Sequence, residues 1–406
     1  MTRQLLLPVL AFAIAATQFA MADEEKKPAN KPALNARDAG PGFAVQGEYT
    51  GTLKCEEGKD CKWGVQVIAL KDGKFRAVSY KGGLPGDGWD GKKDERVQTE
   101  GTADDSGVVR FSHKDEGRGA LSDGKLTITG PNGEALGELK RVVRESPTLG
   151  KKAPEGAVVL FDGSTADTFN GGRLAEDKLL EQGCTSKDTF QSFTLHVEFM
   201  LSYMPYAGGQ GRSNSGCYMQ GRYEVQVLDS FGLDGKHNEC GGIYSIKDPD
   251  VNMCLPPLSW QTYDVEFTTA TFDEAGKKTK NATMTVLHNG VKIHENVELP
   301  KGTTAAPVKE GADPGPIYLQ NHNNPIRYRN IWVVRKLGPG NQLIPEEPRS
   351  GDRCHGGIGN VQRLPPLRGA QVVVTPQSWG LRPRLSPVAA SRLNRDSRSA
   401  RLSHGT

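Results

Sequence analysis

The sequence lacks several signatures from which an enzyme class or a membrane protein can be recognised directly. After the first 22 residues, no stretch is apolar enough for a transmembrane helix. There is no GxSxG elbow, no P-loop and no GxGxxG after a strand, so esterase, kinase and dinucleotide-binding functions have no support. A convincing helix is missing too, whereas the 406 residues include 49 Gly and 25 Pro. This composition predicts many turns and an all-β chain.

Neither sign of charge dominates, because the sequence contains 51 Lys and Arg and 48 Asp and Glu, which gives a net charge of +3. The near balance argues for no particular partner, and no nucleic-acid partner is expected. Residues 338–406 differ from the rest, since no Lys follows Lys336 while Arg, Pro and Ser are frequent and no hydrophobic period remains. We interpret this segment as a disordered C-terminal tail and as an appended or frame-altered coding end.

The N-terminus has the pattern of a secretory signal over residues 1–22. Arg3 precedes an apolar run over residues 5–16, and Ala20-Met21-Ala22 fits a cleavage site. The mature protein is therefore expected to be exported, periplasmic or extracellular, without a membrane span. The Lys-, Pro- and Ala-rich residues 23–42 are expected to form a disordered linker.

Export permits disulfides, although connectivity cannot be read from spacing. Cys55 and Cys61 bracket a short polar loop and could close a small ring. The next candidate pairs are Cys240 with Cys254 and, as what remains, Cys184 with Cys217.

Alternating runs predict two β domains joined by a linker over residues 145–155. The first is a small antiparallel domain over residues 43–144, with a hairpin signal at Asp72-Gly73. Its Trp89 could stack on a sugar ring or fill the domain's own core, and we favour the core. The predicted strands of this domain are 44–52, 64–70, 74–80, 108–112, 125–129 and 135–142.

The second domain, over residues 156–337, is predicted to be an antiparallel sandwich or jelly roll. Asn289-Gly290 is a strong two-residue hairpin signal. Its predicted strands are 193–201, 260–269, 283–288, 291–295, 316–322 and 328–335.

Two alternating runs, one in the second half of residues 213–231 and one at 316–322, carry polar faces that could form a site. Arg222, Glu224 and Gln226 alternate with apolar residues, and Gln320 and His322 do the same near the C-terminal strands. If both faces share one sheet, a carboxylate, an imidazole and two amides converge as an acid–base site. A solvated strand face, and a packing role for His322, are the alternatives.

Two further patterns are incomplete. His237 and Glu239 lie two apart in a loop and could bind a metal, but no second ligand pair stands at a diagnostic spacing. Glu224-x-Gln226-x-x-Asp229 is similar to the strand of laminarinase-type glycosidases, which has an acidic residue at its middle position. The amide of Gln226 counts against ordinary double displacement.

Four segments together resemble the 3-keto-disaccharide hydrolase family, also described as 3-keto-glucoside 1,2-lyase and 3-keto-2-hydroxy-glucal hydratase. The resemblance covers roughly residues 156–335, less than half of the chain. One departure is local, because the family's first motif usually continues to Gly-Trp, where this chain has Phe169-Asn170-Gly171. The segments are LFDG at 160–163, SNSGCYMQGRYEVQVLDS at 213–230, WQTYDVEF at 260–267 and IYLQNHNNPIRYRNIWV at 317–333.

The resemblance implies a concanavalin A-like jelly roll that cleaves 3-keto-glycosides through C2 proton abstraction, elimination at C1 and hydration. It makes Glu224 and His322 the expected proton-transfer pair. A divalent metal held by Glu224, His237 and His322 is a weaker expectation. A non-catalytic lectin-like module and a conventional endoglycosidase remain alternatives. The residues expected to bind the substrate are Asn214, Arg222, Gln226, Asp229, Gln320 and Arg327.

Overall fold

An eight-stranded barrel is followed by a two-sheet sandwich in this computed structural model, which describes residues 30–55 and 58–336. The barrel strands form a meander in which β8 pairs back onto β1 and closes the cylinder. Asp72 and Gly73 both have positive φ, 60° and 69°, as the hairpin signal predicts. The strands are β1 Gly47–Lys54, β2 Asp60–Ala69, β3 Lys74–Lys81, β4 Val97–Ala103, β5 Val109–His113, β6 Gly117–Ser122, β7 Lys125–Thr129 and β8 Ala135–Val142.

Sequence alternation found six of these eight strands and missed β4 and β6. Their sequences, VQTEGTA and GRGALS, contain glycine, lack aromatic residues and show no clear apolar alternation. They are strands because each pairs with a neighbour on both sides, which completes the barrel. Tertiary pairing here overrides a weak local preference.

The sandwich confirms the predicted all-β jelly-roll architecture. A five-stranded sheet has the order β10-β12-β21-β14-β15, and the facing sheet has the order β11-β22-β13-β16-β19-β20 with β9 beside β22. Asn289 and Gly290 form the two-residue hairpin between β19 and β20. The strands are β9 Val158–Phe161, β10 Phe169–Asn170, β11 Leu180–Glu181, β12 Cys184–Phe190, β13 Phe193–Met200, β14 Ser215–Met219, β15 Tyr223–Val227, β16 Trp260–Thr268, β17 Thr271–Phe272, β18 Lys278–Lys280, β19 Ala282–His288, β20 Val291–Leu299, β21 Gly315–Leu319 and β22 Arg327–Arg335.

The barrel and the sandwich share packed apolar surface. Ile68, Val78 and Tyr80 of the barrel belong to the same buried cluster as the sandwich core. Trp89 packs partly buried against that cluster, with its ring 5.1 Å from the Tyr80 ring and Arg96 5.9 Å above it. Trp89 therefore fills a core rather than standing free for a sugar.

Residues 30–42 are ordered, which differs from the disordered linker expected over residues 23–42. Ala33 is buried and exchanges two backbone hydrogen bonds with Tyr203 of the sandwich. The short helix α1, Pro41–Val45, brings Phe43 to within 5.4 Å of the Tyr203 ring, edge to face. These few apolar contacts close one end of the barrel and outweigh the polar composition of the segment.

A buried charge cluster fastens residues 145–151, part of the predicted linker, onto the outer face of the larger sheet. His196 Nδ1 lies 2.9 Å from Asp264, and Nε2 lies 3.5 Å from Glu198. Thr148 donates to Asp264 at 2.7 Å, and the Gly150 amide donates to Glu198 at 2.6 Å. The chain leaving the barrel is thereby pinned to the sandwich.

The cluster shifts the titration of its members. Burial alone would raise the pKa of Glu198, but hydrogen bonds from His196, Asn330, Arg329 and Gly150 outweigh it and lower the pKa to about 2. Burial opposes a charged His196, yet its hydrogen bonds to Asp264 and Glu198 prevail and raise its pKa.

We expect Glu198→Gln to destabilise the protein by about 3 kcal/mol near pH 6, because it breaks a buried charge pair. The folded pKa of Glu198 is lowered, so its contribution is present above the unfolded value of about 4.5 and is lost as pH falls toward about 2. Chemical denaturation of both proteins from pH 7 to pH 3 measures this. Glu266→Gln, on an exposed position of β16, should stay within about 0.5 kcal/mol of wild type. A difference for Glu198→Gln that does not shrink toward pH 3 would contradict the assignment.

The structure shows which of the candidate cysteine pairs form disulfides. Cys55 and Cys61 form a disulfide, as predicted, whereas the other two candidate pairs are wrong. Cys184 and Cys217 each pair with Leu319 from opposite sides, so β21 separates them. Cys240 and Cys254 are buried free thiols that hydrogen-bond each other.

Two predictions lie outside the described residues: the signal peptide over 1–22 and the tail over 338–406. Across residues 30–55 and 58–336, none of the helices has the length and apolarity that crossing a membrane requires.

Candidate functional site

The β14–β15 hairpin sorts its side chains between the core and a polar face. Tyr223, Val225 and Val227 are buried in the sandwich core. The intervening residue Glu224 therefore lies on the opposite face of the sheet, where the register sets it against Tyr218 of β14. Gln220 and Gly221, with φ of 54° and 63°, make the tight turn that fixes this register.

Glu224 is the centre of a hydrogen-bonded chain on that face. The Tyr218 hydroxyl donates to Glu224 Oε2 at 2.8 Å, and Gln320 Nε2 donates to the same hydroxyl at 3.0 Å. Only 2% of the Glu224 surface is exposed. Burial raises the Glu224 pKa to about 8, against the opposing effect of the Tyr218 hydrogen bond. Burial and the Glu224 charge also raise the pKa of Tyr218, which keeps its proton.

The absence of a side chain at Gly216 makes room for this carboxyl. A Cβ at Gly216 would lie 2.1 Å from Glu224 Oε1 and 2.9 Å from the Tyr218 ring. Glycine at this strand position lets the carboxyl lie flat across the neighbouring strand.

Two loops meet beside Glu224, at the edge of the sheet that β15 forms. Thr303 accepts the Glu224 amide hydrogen at 3.0 Å, and the Tyr244 amide donates to the Glu224 carbonyl at 3.2 Å. The Ser245 and Thr304 hydroxyls, one from each loop, are 3.1 Å apart and hydrogen-bonded. The two loops are thus joined beside Glu224, which is only 2% exposed, in what we call the closed arrangement.

An amide cluster continues the polar face beyond Glu224. Gln226 Nε2 donates to Gln210 Oε1 at 3.1 Å, and Asn214 Nδ2 donates to the same oxygen at 3.1 Å. Gln210 in turn donates to the Asn238 carbonyl at 2.7 Å. Asn214 Oδ1 is buried and has no partner among the described residues. The cluster can therefore accept a further hydrogen-bond donor, such as a hydroxyl.

Three of the predicted substrate-binding residues, Arg222, Asp229 and Arg327, have other partners. Arg222 is buried and donates to the carbonyls of Lys309 and Asp313, so it holds a loop in place. Asp229 is buried against Arg212, with Nε 2.5 Å from its carboxylate.

Arg327 is separated from Glu224 by the sandwich itself. It belongs to β22 in the larger sheet, next to the core residue Tyr328, so it points away from the core on that sheet. There it faces Asp177 and Glu181 at 3.9 and 3.7 Å. It was predicted in the site because it follows Gln320 and His322 closely in sequence.

His322 and His237 are both exposed and do not join Glu224. His322 follows Gln320 by two residues, just past the end of β21, and makes no hydrogen bond or ion pair within the part of the chain that the structure describes. His237 Nδ1 accepts the Ser245 amide hydrogen at 3.2 Å. Among the described residues, no three His, Cys, Asp or Glu side chains are grouped as metal ligands. The proposed metal set Glu224, His237 and His322 thus does not fit a metal ion.

Sequence reasoning missed four residues of this face: Tyr218, Tyr318, Gln210 and Tyr244. Tyr318 lies opposite Tyr218 in the register, with the two rings 5.2 Å apart, and stays half-exposed. The alternation of Asn214, Gly216 and Tyr218 along the first half of the hairpin carried the signal for Tyr218. Gln210 and Tyr244 lie in loops, where no periodicity marks them.

Comparison with known proteins supports the resemblance seen in the motifs. The model of the 3-keto-alpha-glucoside-1,2-lyase-like domain matches residues 156–334. A solved structure from Parabacteroides distasonis, described as a "putative glycosyl hydrolase", is 32% identical, covers 45% of this chain and 85% of its own, and has a TM-score of 0.42. A second structure from the same organism with the same description is 17% identical, covers 48% and 100%, and has a TM-score of 0.34. The comparison with curated proteins gives no match.

The domain match defines the sandwich as that of a carbohydrate-active enzyme. More particularly, this chain belongs to the family of 3-keto-alpha-glucoside-1,2-lyase-like domains, through its residues 156–334.

Glu224→Gln is expected to stabilise the folded protein at alkaline pH, because it removes a carboxyl that must ionise while buried. The folded pKa of about 8 lies above the unfolded value of about 4.5, so wild type loses stability as pH rises between these values. The Tm of the variant should therefore gain on that of wild type from pH 5 to pH 8.5 in a thermal unfolding series. The exposed Glu295→Gln should show no such trend. A constant offset for Glu224→Gln across this range would contradict the raised pKa.

Proposed function

We propose that the protein cleaves 3-keto-glycosides by elimination and hydration, with Glu224 as the proton-transfer residue. The observation that carries the proposal is the buried Glu224 carboxyl, whose pKa of about 8 suits it to exchange protons near neutral pH. It lies beside Tyr218 and Gln320, which supply oriented hydrogen bonds.

The chemistry needs a base more than a nucleophile. A ketone at C3 acidifies the C2 proton, and a base takes that proton while the electron pair forms an enediolate. The enediolate collapses to a C1–C2 double bond as the C1–O bond breaks, and the departing oxygen takes a proton. Water then adds across the double bond and releases the 3-keto sugar.

The named residues can fill these roles. The Gln320–Tyr218 chain donates to Glu224 Oε2, which leaves Oε1 to receive the C2 proton. His322, which is exposed just past the end of β21, would protonate the leaving oxygen after the substrate enters. The half-exposed Tyr318 ring offers a stacking surface for the sugar, and the Asn214–Gln210–Gln226 amides offer partners for its hydroxyls.

Conventional double displacement has less support. A retaining glycosidase needs a second carboxyl about 5 Å from the first. The nearest candidate by motif, Asp229, is occupied by Arg212 and lies beyond the end of β15. Glu224 thus has no carboxylate partner for a covalent glycosyl intermediate among the described residues.

Incubation with a 3-keto-disaccharide should release the keto sugar, while the unoxidised disaccharide stays intact. Glu224→Gln should lower kcat about 10²- to 10⁴-fold, the usual effect of losing a general base. Lys292→Gln, on the exposed face of β20, serves as a matched surface control. Binding without turnover would favour the lectin-like alternative, and turnover of the unoxidised sugar would favour the endoglycosidase. A Glu224→Gln enzyme with full rate would overturn the assignment of the base.

The pH dependence should report the Glu224 titration. As a base, Glu224 must be ionised in the free enzyme, so kcat/KM of a His322→Gln variant, in which the imidazole acid no longer titrates, should rise with pH and level off above about 8. Initial rates on the 3-keto-disaccharide from pH 5.5 to pH 9.5 measure this. A profile that instead falls above pH 8 would make Glu224 the acid, and a profile without an inflection near 8 would contradict both roles.

Access to Glu224 should depend on separation of the two loops. Ser245→Cys with Thr304→Cys places two thiols where the hydroxyls are 3.1 Å apart, so oxidation should close the site and abolish turnover, and reduction should restore it. Each single cysteine variant, and wild type treated with the same oxidant and reductant, should keep its rate. Full activity in a double variant shown by mass spectrometry to be cross-linked would contradict the closed arrangement.

A further inference from the structure

The N-terminal barrel holds a cavity of about 1060 Å³ that the proposed chemistry does not use. Its lining comes from the ends of β1, β3 and β5 and from the beginnings of β2, β4 and β6, which all lie at one mouth of the barrel. The other end is filled by packed residues that include Ala33, Phe43 and Tyr203. The packed residues form the floor of the cavity, which we call the cup, and separate it from a second cavity of about 890 Å³ at the opposite end of the barrel.

Small residues at inward positions create the cup. In the lower half, Phe75, Val109 and Leu121 fill the barrel. Nearer the mouth, the inward positions of β3 and β6 continue as Ser79, Gly119 and Gly117, and Thr99 lies beside them on β4; all four line the cavity. An eight-stranded barrel whose inward side chains are short has room for one small ligand.

The wall of the cup is apolar below its mouth. A sugar placed there would leave several hydroxyls without partners, at a cost of about 1 to 3 kcal/mol each. An alkyl chain or aromatic ring system would instead bury apolar surface against these residues. The apolar wall consists of Leu53, Trp63, Val65, Ala77, Phe111, Leu126 and Ile128.

Charge at the cup is distributed unevenly. None of the lining residues that lie on strands is acidic, whereas Lys54, Lys81 and Arg118 are cationic. The lining carboxylates, Asp94, Glu95 and Glu116, lie in the turns around the rim. Lys54 is paired with Asp60, and Arg118 alternates with the inward Gly117 and Gly119, so it points outward. Lys81, at the top of the inward positions of β3, makes no ion pair among the described residues and can contact a ligand.

We propose that the barrel binds an amphipathic carboxylate, with its apolar body in the cup and its carboxylate at Lys81. The depth of apolar wall suits a medium-chain alkyl or aromatic body, and the hydroxyls of Ser79 and Thr99 can donate to the carboxylate beside the ammonium group. This site is separate from Glu224, so it would bind ligand whether or not the enzyme turns over 3-keto-glycosides.

Titration of the full chain with decanoate, by calorimetry and by displacement of 1-anilinonaphthalene-8-sulfonate fluorescence, tests the site. Wild type should bind one decanoate per chain. Ser79→Leu with Thr99→Leu fills the cup and should weaken binding at least about tenfold, whereas Thr102→Leu, exposed on β4, should not. Lys81→Gln should weaken binding about fivefold at low salt, whereas Lys74→Gln, at the opposite end of β3, should not.

The outcomes separate the alternatives once circular dichroism shows that each variant is folded. Octyl glucoside binding as tightly as decanoate would overturn the role of the carboxylate. Displacement of the dye by maltose but not by decanoate would make the cup a sugar site and overturn the proposal. Absence of saturable binding, or binding that the cup-filling variant leaves unchanged, would overturn it as well.

Discussion

The register between β14 and β15 is the constraint on which the candidate site depends. Because side chains alternate along a strand, one pairing sends Val225 into the core and Glu224 to the opposite face, directly across from Tyr218. A slip by one residue would bury the carboxyl among the core aromatics and expose the valines. The left-handed turn at Gln220-Gly221 and the missing side chain at Gly216 both serve this one pairing.

Two buried glutamates show how differently the same side chain is treated in this protein. Glu198 accepts hydrogen bonds from Arg329, Asn330 and Gly150 and lies near His196, so its charge is stabilised. Glu224 has a neutral hydroxyl as its partner and, among the described residues, no cation, so its charge is penalised. The first arrangement fastens the chain between barrel and sandwich, and the second has the raised pKa on which the proposed proton transfer depends. The two carboxyls lie on different sheets of the sandwich, each on the face away from the core.

Much of this could be predicted from the sequence where alternation is strong. Glu224, Gln226 and Gln320 were placed on polar strand faces, and the structure brings all three to the same sheet. Arg222 lies on the predicted face of its strand, but the loop that contains Lys309 and Asp313 covers it. No pattern in the local sequence predicts that a distant loop will pack there. Arg327 failed for a different reason, because closeness in sequence does not say which of two sheets a strand joins. Asp229 was misjudged because its partner Arg212 lies 17 residues away and meets it only through folding.

In the barrel, the inward-facing residues of several strands change from large and apolar in the lower half to small near the mouth. A barrel that served only as a spacer would gain stability by continuing branched residues to the mouth, as its lower half does with Val67, Phe75 and Leu121. Instead, Ser79 and Gly119 leave a void whose apolar walls forgo packing contacts. The loss is spread over several strands that all face the same mouth, so a single weak substitution does not account for it. A ligand that restores those contacts would offset it, which makes an occupied cup the better-packed state of this domain.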